Sequence, residues 1–327
     1  MQTTKNGKHA KGGREASKWG EVAPPGTSDA LGRNESNARD PREEGPKPPF
    51  HEKHQPSPGS EAQMRVKPDH GEDSYVGHER LKGRVALITG ADSGIGRAVA
   101  LAYAREGAEV AIAYLNEDED ARETERLVMA TGQRALLLPG DLAEPRVCEE
   151  IVEKAAAHFG HIDILVNNAA HQGKEVESFM EIDSDRIERT FRVNIMAMFN
   201  LAREVMPYMR PGGAIINTAS VQAYKPSAGI IDYAATKGAV VAFTKGLAEE
   251  AIKQGIRVNC VAPGPVWTPL IAQSFEGERL ENFGTQSPTK RPAQPAELAH
   301  AYVFLASNEA SYVNGECLGV TGGTPTG

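Results

Sequence analysis

The run Val85-Ala-Leu-Ile-Thr89 passes directly into Gly90-Ala91-Asp92-Ser93-Gly94-Ile95-Gly96, and an alanine-rich apolar pattern follows at once from Arg97 to Ala104. A short apolar run is strand-like, the glycines mark a turn, and the pattern after them is helical. Strand, tight turn and helix in that order open an α/β protein, and the turn leaves backbone N–H groups at a helix N-terminus, where an anion is held. Gly90 allows the turn, Gly94 lets the backbone approach a pyrophosphate, and Gly96 permits close packing of helix on strand. The spacing Gly-x-x-x-Gly-x-Gly differs from the common dinucleotide fingerprint Gly-x-Gly-x-x-Gly.

The rest of the chain repeats this alternation. Strand patterns at 109–114, 134–139, 162–166, 214–218, 256–261 and near 317–320 are separated by helical patterns at 118–131, 145–159, 183–209, from Tyr233 to about residue 254, and 296–306. Apolar strands alternating with helices predict a Rossmann-type, doubly wound parallel sheet of about seven strands with helices on both faces. Ligand is then expected beyond the C-terminal strand ends. Gly90 to Gly96, Asp141-Leu142, Asn167-Asn168-Ala169, Ser220 and Pro263-Gly264 each follow a strand and converge on that edge.

Residues 1–80 read differently. They hold nine prolines and only nine large apolar or tyrosine residues, too few to offset the entropy of ordering, and predict an extended or disordered arm ahead of a single domain at 81–327. Lys and Arg balance Asp and Glu in the arm, thirteen against thirteen, so the net charge of −8 belongs to the domain and argues against nucleic acid as a partner. Lys5, Lys8, Lys11, Arg14 and Lys18 read as a solvated basic end. No apolar stretch suits a membrane span or secretory signal, and a cytoplasmic protein is expected. Cys148, Cys260 and Cys317 lie far apart and suggest neither a disulfide framework nor a zinc site. His51 and His54 are three apart in a proline-rich arm, which rarely supplies fixed ligand geometry, and no metal is expected.

Chemistry is concentrated in Asp232-Tyr233-Ala-Ala-Thr-Lys237, thirteen positions after Ser220. An i, i+4 spacing puts Tyr233 and Lys237 on one helix face, where an ammonium favours the ionised phenol. Proton exchange near neutral pH needs a tyrosine pKa lowered by ~3 units, about 4 kcal/mol of differential stabilisation.

Taken together, Thr89-Gly90-x-x-x-Gly94-Ile95-Gly96, Asn167-Asn168-Ala169, Ser220 and Tyr233-x-x-x-Lys237 resemble the classical short-chain dehydrogenase/reductase family in identity, order and spacing, from about Leu81 onward. Within it, Lys67-Pro-Asp-His-Gly-Glu-Asp-Ser-Tyr75 and Val320-Thr-Gly-Gly-Thr324 resemble a bacterial stress-associated subgroup. The resemblance implies hydride transfer between a nicotinamide coenzyme and a small carbonyl or alcohol. Tyr233 would be general acid and base, Ser220 the donor to the substrate oxygen, Lys237 the ribose ligand that depresses the tyrosine pKa, and Asn194 the anchor of a relay water. Coenzyme contacts would come from Gly90, Asp92, Ser93, Gly94, Ile95, Gly96, Tyr114, Leu115, Asn116, Asp141, Leu142, Asn167, Ala169, Pro263, Gly264, Val266 and Thr268, together with Tyr233 and Lys237. Ala170 stands where the family usually has glycine.

The segment 269–295, with His171, Gln222 and Tyr224, would shape the substrate pocket. Tyr114 occupies the place of an NAD-selecting aspartate, yet Asp92, Glu117 and Asp118 would repel an extra phosphate, so NAD is favoured over NADP. Met196, Met198, Met206, Met209, Phe191 and Phe199 read first as a core stripe. The resemblance implies dimer faces on that helix, a homotetramer, and an arm wrapping a neighbouring subunit. The rival reading is a nucleotide sensor or regulatory protein that keeps the fold without turnover.

Overall fold

The computed structural model describes residues 39–326; the basic end read from the first eighteen residues lies outside them. Among the described residues the strands are β1 (Val85–Thr89), β2 (Glu109–Tyr114), β3 (Ala135–Pro139), β4 (Ile164–Asn167), β5 (Ala214–Thr218), β6 (Arg257–Pro263) and β7 (Cys317–Val320). They form one parallel sheet in the order β3-β2-β1-β4-β5-β6-β7. Leu87 pairs with Ala111 on one side and Leu165 on the other, so the winding reverses between β1 and β4, where an open α/β sheet has its crevice. β1, β4, β5 and β6 are buried along their whole length, which is why they read as unbroken apolar runs rather than alternating ones.

The helices are α1 (Gly94–Arg105), α2 (Asp118–Met129), α3 (Pro145–Phe159), α4 (Ser184–Phe191), α5 (Ala197–Val205), α6 (Ile231–Ala251), α7 (Pro269–Ser274), α8 (Gly277–Glu281) and α9 (Pro295–Ala306). α1, α2 and α9 cover one face of the sheet and α3, α5 and α6 the other, each layer closing its own apolar core. The glycine turn is built as expected. Gly90 and Gly94 have φ of 61° and 50°, and a Cβ on Gly96 would lie 1.8 Å from the Gly90 carbonyl oxygen.

Three expectations change. The helix expected over 183–209 is broken: Arg192–Met196 is a π-helical segment between α4 and α5, and Met206–Tyr208 is 3-10. The extra residue of the π turn is fixed by Asn194, whose amide is spent on the His171 backbone and Thr236. The core stripe also divides, because Met198 is buried whereas Met196, Phe199 and Phe191 are exposed.

The arm is corrected most. Residues 40–80 belong to one compact unit with the remainder of the described chain, and they are anchored on it at several points. Phe50 stacks on Trp267 at 4.0 Å, and the Trp267 indole donates to the Val66 carbonyl. Glu106, fully buried, accepts from the Tyr75 hydroxyl at 2.6 Å, from the backbone of His78 and Arg80, and from the Arg80 guanidinium. Apolar area is only part of what holds this segment; matched charges and saturated buried hydrogen bonds supply the rest.

Candidate active site

A cleft of about 1230 Å³ opens along the C-terminal edge of the sheet. Its floor is made where strands end. Beyond β1 the Thr89 hydroxyl accepts from the backbone N–H of Asn168 and Ala169, and the Asn168 amide donates to the carbonyls of Thr89 and Gly90 at 3.1 Å each. The loop after β4 thereby clamps the glycine turn. Ala170 lines the cleft without a left-handed backbone, so glycine is not required there.

Ser220 follows β5, and Tyr233 and Lys237 come from the first two turns of α6, which packs over that loop. All three are buried and line the cleft. The Lys237 ammonium lies 5.3 Å from the centre of the Tyr233 ring and donates to the Thr218 carbonyl at 2.7 Å. Burial pushes the Tyr233 phenol up to about 12, with the nearby Ser220 hydroxyl pulling the other way. Burial also pulls Lys237 down to about 7. The expected depression of the phenol is therefore not present in the protein alone. A lysine that is itself desolvated holds its proton less firmly near neutral pH. Asn194 is fully buried behind these groups; its Nδ2 donates to the His171 carbonyl and to Thr236 Oγ1 and its Oδ1 accepts from the His171 N–H, so its side chain holds the His171 loop.

The coenzyme end of the cleft is lined by Gly90, Asp92, Ser93, Gly94, Ile95, Tyr114, Leu115, Asp141 and Leu142, and the opposite wall by Pro263, Gly264, Val266 and Thr268. Five residues of the expected site lie elsewhere. Asn167 points into the sheet, donating to Asn217 at 2.9 Å, and Gly96 serves helix packing. Asn116 and Asn194 do not line the cleft either, nor does Tyr224 on the substrate side, whereas His171 and Gln222 do. Asp141 caps the turn after β3 through Ala143 N and pairs with Arg189 at 2.6 Å. Arg189 is a cleft residue that sequence reading missed, Glu117 lines the cleft as the charge expected there, and Asn168 rather than Asn167 of the quoted pair faces the cleft; strand alternation, which turns adjacent asparagines to opposite sides, is the signal that distinguishes them.

Charge at the rim is negative. Burial pushes the Asp92 carboxyl up to about 6, opposed by the Ser93 hydroxyl and reinforced by Glu117 and Asp120. Glu117 is likewise raised by burial, and its Oε1 has no partner among the described residues. The donor set fits a nicotinamide dinucleotide: left-handed glycines and a helix N-terminus for the pyrophosphate, and a buried ammonium with one protein acceptor and two remaining donors for ribose. Among the described residues no group of three or more His, Cys, Asp or Glu could hold a metal, and no helix is long and apolar enough to cross a membrane.

Residues 90–325 match the family profile described as enoyl-(acyl carrier protein) reductase. General stress protein 39 of Bacillus subtilis is 49% identical, over 81% of this chain and 93% of its own length. NADPH-dependent aldehyde reductase 1, chloroplastic, of Arabidopsis thaliana is 47% identical, over 83% of this chain and 96% of its own. Among solved structures, a short chain dehydrogenase from Burkholderia cenocepacia in complex with NADP is 33% identical with a TM-score of 0.71, covering 75% of this chain and 98% of that one. These likenesses give no support to the preference for NAD read from the sequence. With the sheet order, the glycine turn and the Ser220, Tyr233 and Lys237 cluster, they place this chain in the short-chain dehydrogenase/reductase family of oxidoreductases.

Proposed function

We propose that this chain moves a hydride between a nicotinamide coenzyme, NAD or NADP, and a small carbonyl or alcohol, with Tyr233 as general acid and base. The observation that carries the reading is Lys237, an ammonium buried against a phenol with one carbonyl acceptor, in the same cleft as the glycine turn. A fold gains nothing from a desolvated lysine so placed; a site that must move a proton does.

In carbonyl reduction the Tyr233 hydroxyl gives its proton to the substrate oxygen, and in alcohol oxidation the phenolate takes it back. Ser220 Oγ accepts from Gln222 N at 3.1 Å, which leaves its own hydrogen for the substrate oxygen. Lys237 binds ribose and stabilises the phenolate as it forms. The glycine turn would hold the pyrophosphate and Pro263 to Thr268 the carboxamide. Bound nicotinamide supplies or accepts the hydride. The aldehyde reductase likeness favours aldehydes as substrates.

A cytoplasmic homotetramer completes the proposal. The exposed apolar residues Met196, Phe199 and Ile231 suit an interface, and Cys260 and Cys317, paired across β6 and β7, remain free thiols. The test is steady-state consumption of NADPH or NADH by the purified protein with a panel of small aldehydes, ketones and sugars. Turnover with any member supports the reading; coenzyme binding without turnover across the panel transfers the chain to the sensor reading.

A further inference from the structure

Residues 55–61 cross the mouth of the cleft. On the substrate side the backbone N–H of Gln55 donates to Ala272 O at 3.0 Å, and that of Gly59 to Gln273 Oε1 at 2.6 Å. Gly59 is pressed so closely on α7 that a Cβ there would lie 2.6 Å from Pro269 O. On the coenzyme side the Ser60 hydroxyl and the Glu61 N–H both donate to Asp120 Oδ2, at 3.1 and 2.9 Å. Ser57, Pro58 and Gly59 line the cleft together with Gly94, Ile95 and Thr268.

Glu61 reaches furthest in. Its Oε2 accepts from the Gly94 N–H at 3.0 Å, and its Oε1 accepts from Arg97 Nη1 at 2.6 Å. Arg97 in turn donates through Nε and Nη2 to the Asp92 carbonyl, at 3.0 and 2.7 Å. The glycine turn is thus gripped at two points, the Gly94 N–H directly and the Asp92 carbonyl through Arg97. The carboxylate is neutralised locally. Arg97 lies on one side and His70 on the other, the imidazole bridging Glu61 Oε2 at 3.1 Å and Glu72 Oε1 at 3.0 Å, with all of Glu61, His70 and Arg97 buried. A bare carboxylate at the start of α1 would oppose an anionic ligand there, whereas a paired one fixes the backbone without that repulsion.

The neighbour from Burkholderia cenocepacia is matched almost completely by three quarters of this chain, so a quarter of this chain has no counterpart in it. The aldehyde reductase relative covers 83% of the chain, which leaves about 56 residues uncovered and takes in Glu61 wherever the match begins.

We propose that this strap is part of the coenzyme site and that Glu61 is the positioning residue that sets the glycine turn for binding. The proposal rests on the reading of the cleft as a nicotinamide site. In Glu61→Gln the side chain keeps its length but loses the charge that Arg97 and His70 hold. Coenzyme affinity is then expected to fall roughly tenfold or more, as loss of a charge-assisted hydrogen bond implies, with KM for coenzyme rising more than kcat falls.

The experiment compares full-length wild type, Glu61→Gln and Tyr75→Phe, the last losing an arm anchor away from the cleft. Binding of NADPH and NADH is read by coenzyme fluorescence, and hydrogen exchange of residues 90–97 is read in protein free of coenzyme. The proposal expects weaker binding and faster exchange in Glu61→Gln alone, although both variants melt earlier. Wild-type affinity and exchange in Glu61→Gln would overturn it. So would equal losses in both variants, which would reduce Glu61 to general stability. A wild type that binds neither coenzyme overturns the reading of the cleft itself, a result distinct from failure of the strap. If Glu61→Gln does not fold, Glu61→Asp carries the test: it keeps the charge but is too short to hold Gly94 N–H and Arg97 together, and weaker coenzyme binding is again the expected result, wild-type binding the refutation.

Discussion

Lys237→Met is expected to stabilise the fold while abolishing turnover, because the lysine is retained at a cost in folding energy. Its side chain is 1% exposed, and burial takes its pKa from 10.5 to about 7. A difference of about 3.5 units corresponds to roughly 5 kcal/mol at most, since each unit is about 1.4 kcal/mol. The folded pKa lies below the unfolded one, so the folded state binds fewer protons across that interval. The cost is therefore complete below about pH 7, shrinks as pH rises through the interval, and vanishes above the unfolded value. Methionine fills similar space without charge. It also strips the Thr218 carbonyl of its donor, at about 1–3 kcal/mol, which leaves a net gain of roughly 2–4 kcal/mol in mildly acidic solution. The corresponding rise in Tm is about 3–7 °C. Thermal melts of wild type and variant, both free of coenzyme, at about pH 6 and about pH 9 would show the gain shrinking at the higher pH. A variant less stable than wild type at both, or a gain independent of pH, would refute the assignment of Lys237 as a costly buried cation.

Two further outcomes follow from the same structure. Removing the rim charges in the double variant Asp92→Asn, Glu117→Gln should shift the ratio of NADPH to NADH affinity towards NADPH by roughly tenfold, measured by fluorescence titration, because the two carboxyls, one in the glycine turn after β1 and one after β2, line the cleft and repel an added phosphate. Glu106→Gln should destabilise the fold by about 3–5 kcal/mol in denaturant titrations, since it breaks the buried pair with Arg80 and the hydrogen bond from Tyr75. The Glu106 carboxyl is held at about 2, burial being outweighed by Arg80 and Tyr75, so its contribution is present above the ordinary carboxylate range and lost as pH falls towards 2; the variant should lack that part of the acid dependence.

The sheet was legible because buried parallel strands leave unbroken apolar runs, and the coenzyme edge because each motif follows a strand. The π segment around Asn194 was not legible, since one extra residue barely disturbs a 3.6-residue pattern over 27 positions, and only the tertiary bonds to His171 and Thr236 reveal it. Lys237 was correctly placed beside Tyr233 by spacing, but its charge was not, because spacing carries no information on desolvation. The arm was misjudged on composition. Glu61, His70 and Glu72 look like ordinary solvated residues in a polar segment, and nothing periodic marks them as a buried network reaching Arg97.

The most direct test of the central claim compares wild type with Tyr233→Phe, reading coenzyme affinity and turnover in the same preparations. With Tyr233 as the general acid and base, the variant should bind coenzyme as wild type does and lose turnover by roughly two to four orders of magnitude. Turnover retained at the wild-type rate would contradict it and assign proton transfer to another group.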